Sequence, residues 1–116
     1  MSSFTSILES LTRQRGVRAS LIVSESDGLV IDSSLRFGQD GERVAALAAS
    51  VYRKARLSAK AAQLGTVTFL QLDAEHGRIC VAGGTGNDLV IVMVADPAAN
   101  VGLLRMELFK ALEMLA

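Results

Sequence analysis

The chain has 116 residues, half of them hydrophobic and only 4% aromatic, and its single cysteine excludes a disulfide framework. Twelve basic residues balance twelve acidic ones, so no net field would gather nucleic acid and no nucleic-acid partner is expected. The longest apolar run, residues 89–95, is too short to span a bilayer. We therefore expect one cytoplasmic domain over residues 1–116, without a signal peptide, a transit peptide or a membrane-inserted segment.

A short helix and a hairpin are predicted to open the chain. Apolar residues recur at helical spacing across residues 3–14. Two runs rich in Val, Ile and Leu then flank Asp27 and Gly28, a dipeptide that tolerates the positive φ angles of a tight hairpin. These runs predict the first two strands, and the second ends with Asp32 and Ser33.

The longest predicted element is a helix that begins after Asp40, its expected N-cap, and stops at Gly65. Its apolar face is assigned to the core and consists of Val44, Leu47, Ala48, Val51, Ala55 and Ala62. Behind that face lie small residues that would let a second helix approach, namely Ala45, Ala46, Ala49, Ser50, Ala59 and Ala61. Leu57 lies about 220° around the helix from Val44, so it is expected to be exposed. Because alanine also favours helices in general, the pattern leaves partner binding and plain helix formation open.

A second hairpin is predicted to follow, with its first strand over residues 66–73, "TVTFLQLD". In that strand, Val67 and Phe69 should point to one face of the sheet, and Leu70 and Leu72 to the other. The strand is either an ordinary inner strand or an open sheet edge, which its own copy would cover about a two-fold axis.

The last strand, "DLVIVMVAD", is apolar throughout, so it should lie at the centre of the sheet with both faces covered. The glycine-rich "GGTGND" before it raises the question of a phosphate site. Such a site needs a helix N-terminus after the glycines, whereas a strand follows here. The sequence therefore favours a turn in which glycine and Asn87 adopt positive φ.

The final predicted helix has Asp96 as its N-cap and Pro97 at its first position. Its buried stripe is expected to contain Val101, Leu104, Leu108, Leu112 and Leu115. Further apolar residues widen that stripe and predict burial on more than one side, namely Leu103, Met106, Phe109 and Met114.

No constellation of residues points to catalysis, to a metal or to a cofactor. The lone histidine, His76, and the lone cysteine, Cys80, are too few for a metal site. Four residues along a hairpin arm do not bring them into contact as a nucleophile pair. Because the aspartates near strand ends are typical turn residues, we expect a protein that is not an enzyme and carries no cofactor.

The order of elements implies a five-stranded, mostly antiparallel sheet with helices on both faces. Four stretches resemble the Roadblock/dynein light-chain family, and within it the bacterial gliding-motility regulators of small Ras-like GTPases. They are "GVRASLIVSESDGLVIDSS", "ERVAALAASVYRKA", "GNDLVIVMVAD" and "ANVGLLRMEL". The resemblance implies a profilin-like α+β sandwich, with one long helix on one face of an antiparallel sheet and two helices on the other.

The resemblance also implies a homodimer whose long helices pack antiparallel and whose third strands pair, with a small Ras-like GTPase docked near those helices. The residues expected at the dimer interface are Ala46, Ser50, Leu57, Ala61, Thr66, Thr68, Phe69, Leu70 and Leu72. Those expected to touch the GTPase are Arg43, Ala49, Arg53, Lys54, Arg56 and Lys60. A dimeric adaptor that recruits a motor, polarity or signalling component stays open as the alternative. A small-molecule sensor would need a sizeable pocket, whereas the densely apolar helices favour a filled core.

Overall fold

The computed structural model describes residues 3–36, 38 and 40–115. In chain order the elements are α1 (Ser3–Thr12), β1 (Val17–Ser24), β2 (Val30–Leu35), α2 (Gly41–Ala61), β3 (Phe69–Ala74), β4 (Gly77–Ala82), β5 (Leu89–Ala95) and α3 (Val101–Leu115). The strands form one sheet in the order β2-β1-β5-β4-β3, and every neighbouring pair is antiparallel. The predicted fold class and the central position of β5 are confirmed, and of the two positions left open for β3 the structure has the edge.

The sheet separates two apolar cores. On one face, Leu8 of α1 and Leu108 of α3 pack with Ile22 and Ile91 of the central strands. On the other face α2 covers the sheet, and Tyr52 is its largest fully buried side chain. In the part of the chain that the structure describes, two helices therefore pack on one face and the long helix packs on the other.

The long helix turns its small residues, rather than its predicted apolar face, towards the sheet. Ala45 and Ala49 are fully buried, whereas Leu47 and Val51, which the sequence assigns to the core, are 59% and 41% exposed. Of the other residues assigned to the core, Ala48 is buried, Val44 and Ala55 are half-buried and Ala62 is exposed.

The small residues of α2 can face the sheet because the helix lies close to the turn between β1 and β2. A Cβ added to Gly28, in the β1–β2 turn, would lie 3.1 Å from the Cα of Ala46. Near this close contact the helix presents the small side chains of Ala45 and Ala49 to the sheet, while the large side chain of Tyr52 fills the core further along the helix. The prediction that the small residues face outwards is therefore wrong for Ala45, Ala49 and Ala59.

The N-terminus of α2 agrees with the prediction, whereas its C-terminus does not. Asp40 caps the N-terminus as predicted, because its Oδ1 accepts a hydrogen bond of 3.2 Å from the backbone N–H of Arg43. The C-terminus comes earlier than expected. The helix ends at Ala61, and Gln63 takes a left-handed conformation with φ of 59° before Gly65 is reached.

The N-terminus of α3 also differs from the prediction. Asp96 and Pro97 lie before the helix, and Asn100 is its N-cap, with Oδ1 accepting from the Leu103 N–H at 3.0 Å. Asp96 instead pairs with Arg18, with 2.5 Å between Oδ1 and Nε. The predicted buried stripe is present, but three of the four residues expected to widen it are exposed, namely Leu103, Met106 and Met114.

The strand β3 begins at Phe69, three residues later than predicted, because the preceding segment is irregular. Val67 packs against the core on the α2 side, whereas Phe69 packs against the core on the α3 side. The expectation that these two side chains share a face is therefore wrong. Leu70 faces the α2 side, as the alternation along the strand requires.

The two edges of the sheet differ in regularity. In β2 the pairing shifts from Ile22 opposite Asp32 to Val23 opposite Val30, so Ile31 has no partner in β1. The strand β3 pairs with β4 without any shift. A bulge disturbs the row of backbone groups with which a further strand would pair. The regular free edge of the sheet is therefore β3.

Candidate functional site

Some of the exposed large apolar side chains lie on α2 and β3, while others lie on the β1–β2 loop, β2 and α3. Leu47 and Val51 lie on one flank of α2, and Leu72 of β3 is 42% exposed. Leu72 shares a sheet face with Leu70, which packs against the core beneath α2. We call Leu47, Val51, Leu70, Leu72 and the free edge of β3 the α2–β3 surface. Leu47, Val51 and Leu72 are exposed to solvent in the single chain, whereas Leu70 also packs against its core.

The backbone groups on the free edge of β3 can be assigned from one hydrogen bond. The N–H of Gly83 donates to the carbonyl of Thr68 at 3.1 Å, so the carbonyl of Thr68 points towards β4. Because N–H and C=O directions alternate along an antiparallel strand, the groups of Phe69, Gln71 and Asp73 point outwards. The edge therefore offers donors and acceptors to a further strand.

The opposite face of β3 carries an aromatic pair beneath a cation. The rings of Phe69 and Phe109 have centroids 5.9 Å apart. The guanidinium carbon of Arg105 lies 4.8 Å from the Phe69 centroid and 5.4 Å from that of Phe109. These distances suit cation–π attraction, so α3 places a positive charge directly beside the free edge.

The other flank of α2 faces the β1–β2 loop across a groove. Arg53 donates to the backbone carbonyl of Glu25, and Arg56 donates to its carboxylate. Leu57 and Lys60 line the same groove, together with the glycine-rich turn. Val51 lies about 160° around the helix from Arg53, so the groove and the α2–β3 surface occupy opposite flanks.

Tyr52 links α2 to the segment that leads into β3. Its hydroxyl donates to the carbonyl of Val67 at 2.5 Å. Burial, and next the negative charge of Glu25, raise the pKa of Tyr52 above its ordinary value. The phenol therefore stays protonated and continues to donate well into the alkaline range.

The glycine-rich segment is the predicted turn. Gly84 and Gly86 have φ of 83° and 90° and β5 begins at Leu89. Asn87 does not adopt positive φ, which corrects that detail, and its Oδ1 accepts from the Leu89 N–H at 3.2 Å. With a strand after the glycines, the segment lacks the helix N-terminus of a phosphate site.

Asp88 ties this turn to the β1–β2 loop. Its carboxylate accepts from the Ser26 hydroxyl at 2.7 Å, the Ser24 hydroxyl at 2.8 Å and the Ser26 N–H at 3.1 Å. The hydrogen bonds from Ser26, followed by that from Ser24, hold the pKa of Asp88 below its ordinary value. The aspartate serves as a structural brace between two loops.

His76 and Cys80 lie in different environments. His76 is exposed in the β3–β4 turn, and its Nε2 lies 3.5 Å from Oε1 of Glu75. Cys80 is fully buried, and burial raises the pKa of its thiol. Within residues 3–36, 38 and 40–115, no group of three or more His, Cys, Asp or Glu side chains could hold a metal. Over the same ranges, no helix is both long and apolar enough to cross a membrane.

The residues predicted for the dimer interface do not form one set. Leu70 and Leu72 belong to the α2–β3 surface, whereas Leu57 is 68% exposed on the groove flank and Phe69 packs beneath Arg105. The small and polar members lie on α2 or before β3 and are exposed except for half-buried Ser50, namely Ala46, Ser50, Ala61, Thr66 and Thr68.

The residues predicted to touch a GTPase divide by accessibility. Ala49 is fully buried beneath α2, so its assignment to a partner-binding surface is wrong. Arg53 is half-buried and engaged with Glu25. The remaining side chains are exposed, namely Arg43, Lys54, Arg56 and Lys60.

The Roadblock/LC7 domain family model matches residues 4–95. This chain belongs to the Roadblock/LC7 family. An uncharacterised protein of Methanocaldococcus jannaschii is 32% identical over 108 residues, which are 92% of this chain and 91% of that protein.

Solved structures agree with this Roadblock/LC7 assignment. Myxococcus xanthus MglB superposes with a TM-score of 0.88 at 18% identity, covering 99% of this chain and 93% of that one. A Roadblock/LC7 domain from Streptomyces avermitilis gives a TM-score of 0.85 at 18% identity, covering 95% and 92%. At such identities the likeness concerns the fold, and the resemblance to gliding-motility proteins is confirmed at that level.

Proposed function

We propose that this Roadblock/LC7 chain is a non-enzymatic homodimeric module that docks and regulates a small Ras-like GTPase. The observation that carries the dimer is the α2–β3 surface, where exposed Leu72 lies on a regular free strand edge and exposed Leu47 and Val51 lie on the helix that covers the same sheet face. Burying one leucine stabilises an association by roughly 1.5–3 kcal/mol. A second copy would remove Leu47 and Leu72 of each chain from water at once.

A second copy suits this surface because the edge is self-complementary. An antiparallel strand pair about a two-fold axis satisfies the outward groups of β3 with the same groups of the partner. The same axis brings the two α2 helices together on one face of the joined sheet. The apolar flank that carries Leu47 and Val51 then becomes part of an interface.

The GTPase is proposed as the partner because of the resemblance to the gliding-motility regulators. The exposed cations Arg43, Lys54 and Lys60 on α2 would supply polar contacts to it. Arg53 and Arg56, which Glu25 engages, would border the docking area. Regulation would come from docking itself, and the chain would supply no catalytic group.

The dimer is tested with two leucines of matched exposure. Leu72 and Leu103 are 42% and 43% exposed, the first on β3 and the second on α3. We expect Leu72→Glu to convert a dimer into a monomer at micromolar concentration in light scattering, while Leu103→Glu stays dimeric. A wild-type protein that is monomeric would remove the foundation of the proposal.

The GTPase is tested by adding a GTP-loaded candidate to the wild-type dimer and measuring the mass again. A gain in mass supports regulation, and a hydrolysis assay would then show its direction. A dimer that binds no GTPase would instead favour the adaptor function, in which the same surface assembles a scaffold.

A further inference from the structure

We propose that Arg105 and Asp73 fix the register of the dimer, with Arg105 of each copy forming an ion pair with the partner's Asp73 across the joined β3 strands. This inference rests on the proposed homodimer and adds to it a specific alignment and a pair of partner-selecting charges. It follows from the outward groups of β3 and from the charges beside them.

Symmetry leaves few alignments for two β3 strands. When the two-fold axis is perpendicular to the sheet, the α2 face of one chain is continuous with the α2 face of the other, and the α3 faces are likewise continuous. Because side chains alternate between the faces, a residue must then pair with one of the same parity. At the axis one residue is consequently paired with its own copy in the partner. In the middle of β3 the candidates for this self-paired residue are Leu70, Gln71 and Leu72.

The alignment centred on Gln71 gives hydrogen-bond partners to the largest number of outward backbone groups of β3. It pairs Phe69 with the partner's Asp73 and Gln71 with its copy, so every outward group of the strand meets a strand group. It also sets Leu70 opposite the partner's Leu72, which joins the apolar residues on the α2 side.

The neighbouring alignments are poorer. Centring on Leu70 sets Asp73 opposite the partner's Val67, whose carbonyl already accepts from Tyr52. Centring on Leu72 sets Phe69 opposite the partner's Glu75, in the hairpin turn, and makes the two Asp73 carboxylates diagonal neighbours, where like charges repel.

Charge complementarity supports the Gln71 alignment independently. Arg105 lies over the Phe69 ring, and Phe69 is the residue that the partner's Asp73 would face. Within residues 3–36, 38 and 40–115, no carboxylate forms a salt bridge with Arg105. The Arg105 charge is therefore available to a second chain.

Asp73, at the other end of the strand, is exposed although Arg78 lies near it. Its side chain is 62% exposed, and its Oδ1 lies 3.6 Å from Nε of Arg78. Gln71 donates to both of its oxygens at 3.0 Å. A carboxylate held in place but open to solvent can accept a further cation at little ordering cost.

The test uses charge-reversed chains that should prefer each other. Homodimers of Arg105→Glu would contain two repulsive acid pairs, and homodimers of Asp73→Lys two repulsive basic pairs. We expect the dissociation constant of each to rise about tenfold or more, since two ion pairs are lost and two repulsions are added. When the two chains are mixed, both pairs become attractive, so the heterodimer should exceed its statistical share in native mass spectrometry.

Glu75→Lys is the matched control, because Glu75 is a neighbouring exposed acid in the same hairpin. Mixed with Arg105→Glu, it should give only the statistical share of heterodimer. Preferential pairing with Glu75→Lys, or statistical pairing with Asp73→Lys, would overturn the Gln71 register. Should Asp73→Lys fail to fold, the double variant Asp73→Asn/Arg105→Glu should dimerise more tightly than Arg105→Glu alone, and equal affinity would overturn the proposal.

The two proposals fail in different ways. A wild-type chain that is monomeric at all concentrations would end the dimer proposal and this one with it. A wild-type dimer whose charge-reversed variants associate unchanged would leave the dimer standing and remove only the register.

Discussion

The hydroxyl of Tyr52, in α2, donates a 2.5 Å hydrogen bond to the carbonyl of Val67, in the segment that leads into β3. Tyr52 is 1% exposed, so its ring fills the core while its hydroxyl fixes that segment. The bond therefore joins the two elements that form the α2–β3 surface, and the geometry of that surface depends on it.

Removing the hydroxyl should loosen this link without emptying the core. We expect Tyr52→Phe to lower the free energy of unfolding by about 1 kcal/mol, because the Val67 carbonyl loses its donor. Urea titration would measure the loss, and amide hydrogen exchange should become faster around Thr68. An unchanged urea midpoint together with unchanged exchange would show that the bond contributes nothing.

Gly83 should tolerate no side chain, although its φ is not in the left-handed region. An added Cβ would lie 2.7 Å from the Tyr52 hydroxyl oxygen and 2.8 Å from Cγ1 of Val90. Gly83→Ala is expected to destabilise the protein by roughly 1–3 kcal/mol, as overpacking does.

Gly102→Ala is the matched control for that substitution. Gly102 lies in the first turn of α3, where the nearest atom to an added Cβ is Oδ1 of Asn100 at 3.5 Å. Because alanine favours a helix over glycine by roughly 0.5–1 kcal/mol, Gly102→Ala should raise the thermal midpoint while Gly83→Ala lowers it. Equal shifts for the two variants would contradict the packing described around Gly83.

The N-cap of α3 predicts a third result. Asn100→Ala should cost about 1 kcal/mol of stability, because the N–H of Leu103 loses its acceptor. Asn100→Asp should retain stability, since a carboxylate also caps and interacts favourably with the helix dipole. Thermal unfolding of both variants would decide, and an Asn100→Ala protein as stable as wild type would mean that the cap lies elsewhere.

Asp88 gives the protein a defined acid sensitivity. Hydrogen bonds from Ser26 and then Ser24 lower its pKa in the folded chain below the ordinary value of 3.8. Folding therefore favours the ionised form, so its contribution is fully present above that value and is lost as the pH falls through the lower folded pKa.

The substitution Asp88→Asn isolates this contribution. We expect the difference in thermal midpoint between wild type and Asp88→Asn to be constant near neutral pH and to shrink as the pH falls below 3.8. A difference that is independent of pH down to strongly acidic conditions would show that the carboxylate charge has no part in bracing the two loops.

The sequence carries enough information to predict the sheet but not the orientation of the long helix. The uniform apolar character of β5 follows from covering both of its faces, and it predicts a central strand. In α2, by contrast, both the alanine set and the set with Leu47 and Val51 recur at helical spacing. Periodicity cannot say which set faces the sheet, because that depends on how closely the helix approaches Gly28.

The elements that form the candidate site were predictable from the sequence, but the residues that they expose were not. The sequence identifies α2 and β3 as its elements, but it places Leu47 and Val51 inside and Ala49 outside. Nor does spacing along the chain bring Arg105 beside Phe69, because that contact requires α3 to be packed against the sheet. Contacts between distant elements supply the parts of the site that local patterns do not contain.

The bulge at Ile31 has a consequence for how far assembly can extend. A chain with two regular strand edges behaves like a monomer with two reactive ends, and it can polymerise into a continuous ribbon. This chain has one such edge, on β3, because the other is interrupted at Ile31. If two chains couple through β3, each is what polymer chemistry calls a monofunctional unit, and growth by strand pairing would stop at the pair.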